Sequence, residues 1–179
     1  MKYVSLWSLL AILAIACTPS EKKSMETSDT NPFYSEWDTP YGVPPFDQIQ
    51  DAHYLPAFKE GMKQQLAEVD AIANNEAAPT FDNTIGAYEK SGQLLSNVSG
   101  VFFTLTGAHT NDQLRAAQKE VSPLLSSHND NIFLNENFFN RVKILFEDKD
   151  NLELSVEQNK LLENYYNRFV RSGAALNFE

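Results

Sequence analysis

Residues 51–73 read DAHYLPAFKEGMKQQLAEVDAIA, in which apolar side chains recur every three or four positions. That spacing places them on one face of an α-helix. The apolar positions are Leu55, Phe58, Met62, Leu66, Val69 and Ala73. Asp51 offers an N-cap, and Pro56 lies in the first turns. The segment therefore predicts a long first helix with one buried face.

The same spacing continues along the chain and predicts a second helix that begins at Asn83 or Thr84. Its apolar stripe consists of Ile85, Tyr88, Leu95, Val98, Phe102 and Leu105. Gly92 and Gly100 lie within this stripe, and we expect both to permit the close approach of a neighbouring element.

Three further helices are predicted from their start signals, which are Asn111, Asn135 and the capping box of Ser155 with Gln158. Pro123 should kink the third helix or mark a break in it. Gly173 is a suitable C-cap for the fifth. No segment has the alternating pattern of a strand, so the sequence predicts an all-α fold of about five helices.

The length and composition of the chain limit its number of domains and argue against some classes of partner. The chain has 179 residues and a formal net charge of −10, from 14 basic and 24 acidic side chains. This length favours one domain at about 150 residues per domain. The acidic balance argues against a nucleic-acid partner, because such proteins meet phosphates with basic surfaces. A single cysteine cannot form an internal disulfide.

Residues 1–16 (MKYVSLWSLLAILAIA) have the pattern of a signal peptide. Their apolar run is too short to span a bilayer, which needs about 20 residues. Residues 13–16 (LAIA) directly precede the only cysteine and resemble a bacterial lipobox. We therefore predict lipidation at Cys17, with acyl chains that anchor the protein. The alternative is an ordinary cleaved signal in which Cys17 is incidental.

Residues 17–30 are polar and lack apolar periodicity, which predicts a lipidated, flexible tether. The predicted location is therefore outside the cytoplasm, as a membrane-anchored lipoprotein on the periplasmic or outer-membrane side.

Residues 31–47 (NPFYSEWDTPYGVPPFD) contain four prolines and five aromatic residues. Regular helices and central strands do not tolerate that density of proline. We expect an extended arm that lies over the domain surface and is pinned by Phe33, Trp37, Tyr41 and Phe46.

The sequence provides little material for a catalytic site. His53, His109 and His128 have no second histidine four residues away, as a helical zinc site would require. We expect capping or surface roles for them, with a zinc site built from all three as the alternative. Ser127, His128 and Asp130 form only a local polar cluster near a helix end. The acidic residues of 147–150 are expected to be solvated. No catalytic or metal-binding residue is predicted within this segment.

Several local sequences, in their order, resemble the thimet-oligopeptidase family of zinc metallopeptidases. Within that family they are most similar to the bacterial peptidyl-dipeptidases, also called dipeptidyl carboxypeptidases, with oligopeptidase A as a nearby relative. The matching pieces are residues 31–33 (NPF), 39–47 (TPYGVPPFD), 53–58 (HYLPAF), 79–85 (PTFDNTI), 134–135 (LN), 157–158 (EQ) and 169–174 (FVRSGA).

The resemblance implies that residues 31–179 form the helical N-terminal lobe of a larger, two-lobed metallopeptidase, truncated before its catalytic region. That region would hold zinc on an HExxH helix, in a C-terminal catalytic lobe missing from this sequence. The enzyme would remove C-terminal dipeptides from short peptides, and this segment would form a wall of the substrate channel. The alternative is a non-enzymatic helical lipoprotein that serves as a binding or scaffold module.

Overall fold

The computed structural model describes residues 31–178, which form an all-α fold; the predicted signal peptide, Cys17 and the tether lie outside them. The helices are α1 (Asp51–Ala73), α2 (Ala87–Glu89), α3 (Gln93–Ala108), α4 (Asp112–Phe133), α5 (Glu136–Glu147) and α6 (Val156–Ser172). No strand occurs in residues 31–178, which confirms the predicted fold class. Within the same range, no helix has the length and hydropathy needed to cross a membrane.

Helix α1 is the central element. Helix α4 runs beside it in the same direction, since contacts advance together along both helices. The pairs are Asp51 with Asn111 (2.8 Å), Lys59 with Glu120 (3.0 Å) and Gln65 with His128 (2.7 Å). Helix α3 runs the opposite way, because its later residue Phe102 packs on Tyr54 and Phe58 near the start of α1.

Two groups of buried apolar side chains make up the core. The arm-side cluster includes Phe33, Phe58, Leu95, Phe102 and Val121. The α6-side cluster contains a second set, including Val69, Ile85, Phe133, Phe138 and Phe169. Helices α1 and α4 contribute to both clusters, so the two groups share their main supports.

The predicted second helix is broken in the structure. Residues Asp82–Gly86 form a π-helical turn that leads into α2, and α3 starts only after Gly92. Gly92 has a φ of +69°, a left-handed conformation that suits glycine and interrupts a right-handed helix. Both pieces contact α1, and the apolar spacing runs on across the break, so periodicity alone predicts one helix.

The other helix ends mostly follow the sequence signals. The side chains of Asn111, Asn135 and Ser155 accept backbone N–H groups at the starts of α4, α5 and α6. Gly173, with a φ of +96°, is the C-cap of α6 as predicted. The N-cap of α1 is Gln50 instead of Asp51.

Helix α4 continues through Pro123, which overturns the alternative of a break at that position. Proline removes one backbone donor from a helix. The fully buried Val121 keeps this part of α4 packed in the arm-side cluster.

The aromatic side chains of residues 31–47 are anchored at the N-terminal end of this arm. The Asn31 amide donates to the His53 carbonyl (2.9 Å), and Phe33 packs on Tyr54 with ring centroids 5.6 Å apart. Trp37 donates its indole N–H to the Pro32 carbonyl (3.0 Å). The expectation for Tyr41 and Phe46 is wrong, since both are exposed. Pro40–Gly42 form a tight turn that holds Tyr41 in a left-handed conformation in solvent.

The buried Arg141 side chain holds the loop between α1 and the π-helical turn in place. The Arg141 guanidinium donates to the carbonyls of Asn75 (2.7 Å) and Ala77 (3.0 Å) and to Oδ1 of Asn83 (2.8 Å). Thr80 and Asn83 exchange two further hydrogen bonds across the same loop. Removal of the arginine side chain would take the donor from the Asn75 and Ala77 carbonyls, whereas Oδ1 of Asn83 would keep the Thr80 N–H.

Helices α1 and α3 approach most closely at Gly61. A Cβ at this position would lie 2.9 Å from both the backbone nitrogen and Cα of Leu95. Backbone atoms cannot move aside as a flexible side chain can, so this crossing requires glycine. Gly100, which we expected to serve such a contact, has no atom of the described residues within 4 Å of the place where a Cβ would lie.

We predict that Gly61→Ala lowers the free energy of unfolding by about 1–3 kcal/mol, because α1 and α3 must separate to admit the methyl group. Gly100→Ala is the matched control, since it adds a methyl group to helix α3 in open space. That control should gain about 0.5–1 kcal/mol from helix propensity. Urea denaturation of both variants measures the difference, and equal effects would contradict the inferred contact.

Candidate functional site: a polar cleft at Gly92

The three histidines have separate structural positions. Nδ1 of His53 accepts the backbone N–H of Gln50 (3.0 Å), which is the predicted capping role. His109 is the exposed C-cap of α3, again as predicted. The expectation for His128 is wrong, because this side chain is only 4% exposed and points into the domain from within α4.

The described residues do not assemble the metal and nucleophile sites considered from the sequence. No group of three His, Cys, Asp or Glu side chains in residues 31–178 is placed to hold a metal ion. Ser127 and Asp130 are exposed, whereas His128 between them is buried. Glu147, Asp148 and Asp150 are all exposed, as expected, at the end of α5 and in the turn that follows it.

The most distinctive local structure lies where the predicted second helix breaks. A π-helical turn, the short helix α2 and the left-handed Gly92 follow one another within residues 82–92. Such π-helical turns occur frequently at functional sites. Beside this break is an open cleft of about 290 Å³, lined mainly by polar side chains that include Gln65, Tyr88, Glu89, Ser96, Ser99 and Tyr165.

A chain of hydrogen bonds holds one wall of the cleft. Nε2 of His128 lies 2.7 Å from Oε1 of Gln65, and the Gln65 amide nitrogen donates to Oγ of Ser91 (3.4 Å). An amide oxygen only accepts, so Nε2 of His128 must carry the proton. Glu68 accepts the Gly92 N–H (2.7 Å). A Cβ at Gly92 would lie 2.5 Å from Cδ of Gln65, so a side chain here would displace Gln65.

The opposite wall carries an acid and two phenols. The Tyr165 hydroxyl donates to Glu89, and the rings of Tyr165 and Tyr88 meet edge to face with centroids 5.3 Å apart. Burial, together with the neighbouring Glu89 carboxylate, raises the pKa of Tyr165 above its usual range. Burial also raises the pKa of Tyr88. Both phenols therefore remain protonated near neutral pH, and Glu89 carries the negative charge of this wall.

His128 makes no ion pair in the part of the chain that the structure describes. Burial lowers the pKa of His128 below its usual value. Its Nδ1 is a buried atom without a hydrogen-bond partner in residues 31–178. The neutral ring thus supports Gln65 and through it the cleft, and protonation would disfavour this arrangement.

Sequence reasoning missed the cleft because its parts come from several helices. The sequence does contain a signal that His128 is buried, since this residue falls in the apolar spacing of Val121, Leu125 and Ile132 along α4. A histidine at such a position faces the core. Its partner Gln65 carries no comparable signal, because the pair depends on the register of α1 and α4.

Chemically, the cleft can accept hydrogen bonds and hold a positive charge. It offers a carboxylate, several hydroxyl oxygens and two aromatic rings. The described lining therefore suits the binding of a polar or positively charged group.

Sequence comparison relates the chain to two named groups of peptidases. It is 44% identical over 147 residues to a protein named dipeptidyl carboxypeptidase from Salmonella typhimurium, covering 82% of this chain and 22% of that protein. The dipeptidyl carboxypeptidase of Escherichia coli is 45% identical over 146 residues, with 82% and 21% covered. Oligopeptidase A of Salmonella typhimurium is 24% identical over 147 residues, with 82% and 21% covered.

The chain therefore spans about one fifth of the length of these relatives. No protein-family model matches it.

We predict that part of the loss in the free energy of unfolding at acid pH comes from His128. The unfolded histidine takes up a proton near pH 6.5, whereas the buried one does so only at lower pH, so stability is lost as pH falls through 6.5. His128→Gln removes this loss. The difference in unfolding free energy between the parent protein and the variant should narrow from about pH 7.5 to about pH 5.5.

Urea denaturation at the two pH values measures this difference. His109→Gln, at an exposed helix end, is the matched control and should follow the parent protein. A difference between parent and His128→Gln that stays constant with pH would contradict the prediction.

Proposed function

This chain is an N-terminal portion of a thimet-oligopeptidase-family protein, and on that premise we propose that it works as part of a peptidase that releases dipeptides from the C-termini of short peptides. The observation that carries the proposal is the 44–45% identity to proteins named dipeptidyl carboxypeptidase, against 24% to oligopeptidase A. This difference favours dipeptide release over cleavage within the peptide.

The chain's own contribution, in this proposal, is a wall of the substrate channel. Residues 31–178 bring together no three metal-ligating side chains, so they do not fit the zinc site that the resemblance implies. We assign the zinc and the bond-breaking groups to another part of the longer protein. The polar cleft at Gly92 is the surface that would face the peptide, because its side chains are held in place yet open to solvent.

The test uses the product of the whole open reading frame that contains this chain. It should release the C-terminal dipeptide from an N-blocked tetrapeptide, which no aminopeptidase can attack. A zinc chelator should abolish the release, and added zinc should restore it. Mass spectrometry of the products measures the position of cleavage.

The 179-residue chain alone is the control and should leave the tetrapeptide intact. If the whole product also fails to cleave it, the peptidase proposal is wrong and the alternative of a binding or scaffold module is favoured. Products cut at other positions would support an oligopeptidase in its place.

We also propose that the protein is exported and anchored through lipid on Cys17. The support is the position of the only cysteine directly after the apolar run of residues 4–16. Covalent acyl chains would then hold the protein at the membrane.

Cys17→Ser should abolish the incorporation of a radiolabelled fatty acid when the protein is expressed in a bacterial host, since serine has no thiol to alkylate. Ser24→Cys in the Cys17→Ser background is the matched control and should not restore labelling, because only position 17 follows the lipobox-like residues. Labelling that persists in Cys17→Ser would refute the anchor.

A further inference from the structure

The carboxylate of Glu89 has an oxygen available for a ligand. One of its oxygens, Oε1, accepts the Tyr165 hydroxyl. Within residues 31–178, the structure shows no hydrogen bond or ion pair to Oε2. Tyr165 therefore orients the carboxylate, and its second oxygen has no such partner on an exposed side chain that lines the cleft.

Among the described residues, no lysine or arginine lines the cleft. The cation that acts on its tyrosines is Arg168, which lowers the pKa of Tyr88 and Tyr165 while burial raises it. The Arg168 guanidinium, however, stacks over the Phe133 ring at 3.8 Å and donates to Asn129. It is thus engaged outside the cleft wall, and the negative charge of Glu89 has no cation among the described lining residues.

The remaining walls also suit a small cation. The Tyr88 and Tyr165 rings make an edge-to-face contact, and aromatic faces attract positive charge. Ser96 and Ser99 add hydroxyl oxygens that can accept hydrogen bonds. At about 290 Å³, the cleft is near the lower end of the size of ligand pockets, enough for one or two residues of a peptide.

We propose that this cleft binds the ammonium group of a peptide, which is supplied either by the N-terminus or by a lysine side chain. An ammonium group has three donors, which can meet Oε2 of Glu89 and the serine hydroxyls, while its charge lies near the tyrosine rings. The inference rests on the proposed function, because a wall of a peptide channel is where such a group would be presented.

The test measures binding to the 179-residue chain by the NMR shift of the Gly92 amide, which lies in the cleft. Three probes are compared: tetra-alanine with a free N-terminus, N-acetyl-tetra-alanine, and N-acetyl-Ala-Lys-Ala-Ala. The first, the third or both should shift the signal, and the response tells which source of ammonium is bound. The acetylated tetra-alanine should bind about tenfold more weakly, because it lacks the charged donor.

Glu89→Gln should weaken binding of the ammonium probe about tenfold, because it removes the charge and keeps the shape. The glutamine can still accept the Tyr165 hydroxyl, so the fold should be retained, and an unchanged urea midpoint verifies this. Glu76→Gln is the matched control, because Glu76 is an exposed carboxylate in the loop after α1, away from the residues that line the cleft. Equal binding by Glu89→Gln and the parent, or binding of N-acetyl-tetra-alanine as tight as that of both ammonium probes, would overturn the proposal.

The same variants separate this proposal from the peptidase assignment. In the product of the whole reading frame, Glu89→Gln should raise KM for the free-amine or lysine peptide about tenfold, with little change in kcat. If peptides are cleaved but KM does not change, the cleft proposal fails and the peptidase stands. If peptides are not cleaved but the Gly92 signal still reports ammonium binding, the peptidase assignment fails.

Discussion

The backbone contact between Gly61 of α1 and Leu95 of α3 constrains the arrangement around it. Because a side chain at residue 61 would collide with backbone atoms of Leu95, the two helices can lie this close only with glycine at residue 61. Leu95 lies in the first turn of α3, so the contact holds the start of that helix against α1. Gly92, three residues before Leu95, lies beside Gln65, four residues after Gly61, so the crossing and the break beside the polar cleft are neighbours along both elements.

Local signals in the sequence predicted the features that depend on neighbouring residues. The caps at Asn111, Asn135 and Ser155 and the C-cap at Gly173 each involve a few consecutive residues, and they were correct. The break at Gly92 was missed, because an apolar stripe looks the same whether or not a helix is interrupted. The pair of Gln65 and His128 was missed since its members are 63 residues apart and meet only through the register of α1 and α4.

The local sequences that carry the family resemblance are largely anchoring points of the fold. Asn31 and Phe33 of the first piece contact His53 and Tyr54 of the third. Residues 79–85 contain Asn83, which Arg141 holds from α5. The pieces that carry the resemblance thus include residues that hold the fold together, while residues 31–178 assemble no metal site. The fold was easier to predict than the cleft, because the cleft depends on pairs such as Gln65 and His128 that are far apart in the sequence.

Because α1 and α4 belong to both clusters, local unfolding of one cluster affects the other. A domain with two separate cores can open in parts, since each core can lose its protection from amide exchange while the other remains intact. Here, detachment of α1 would expose Phe58 in one cluster and Val69 in the other at the same time. Opening at α1 is therefore a global event, and the two halves of this fold behave as one cooperative unit.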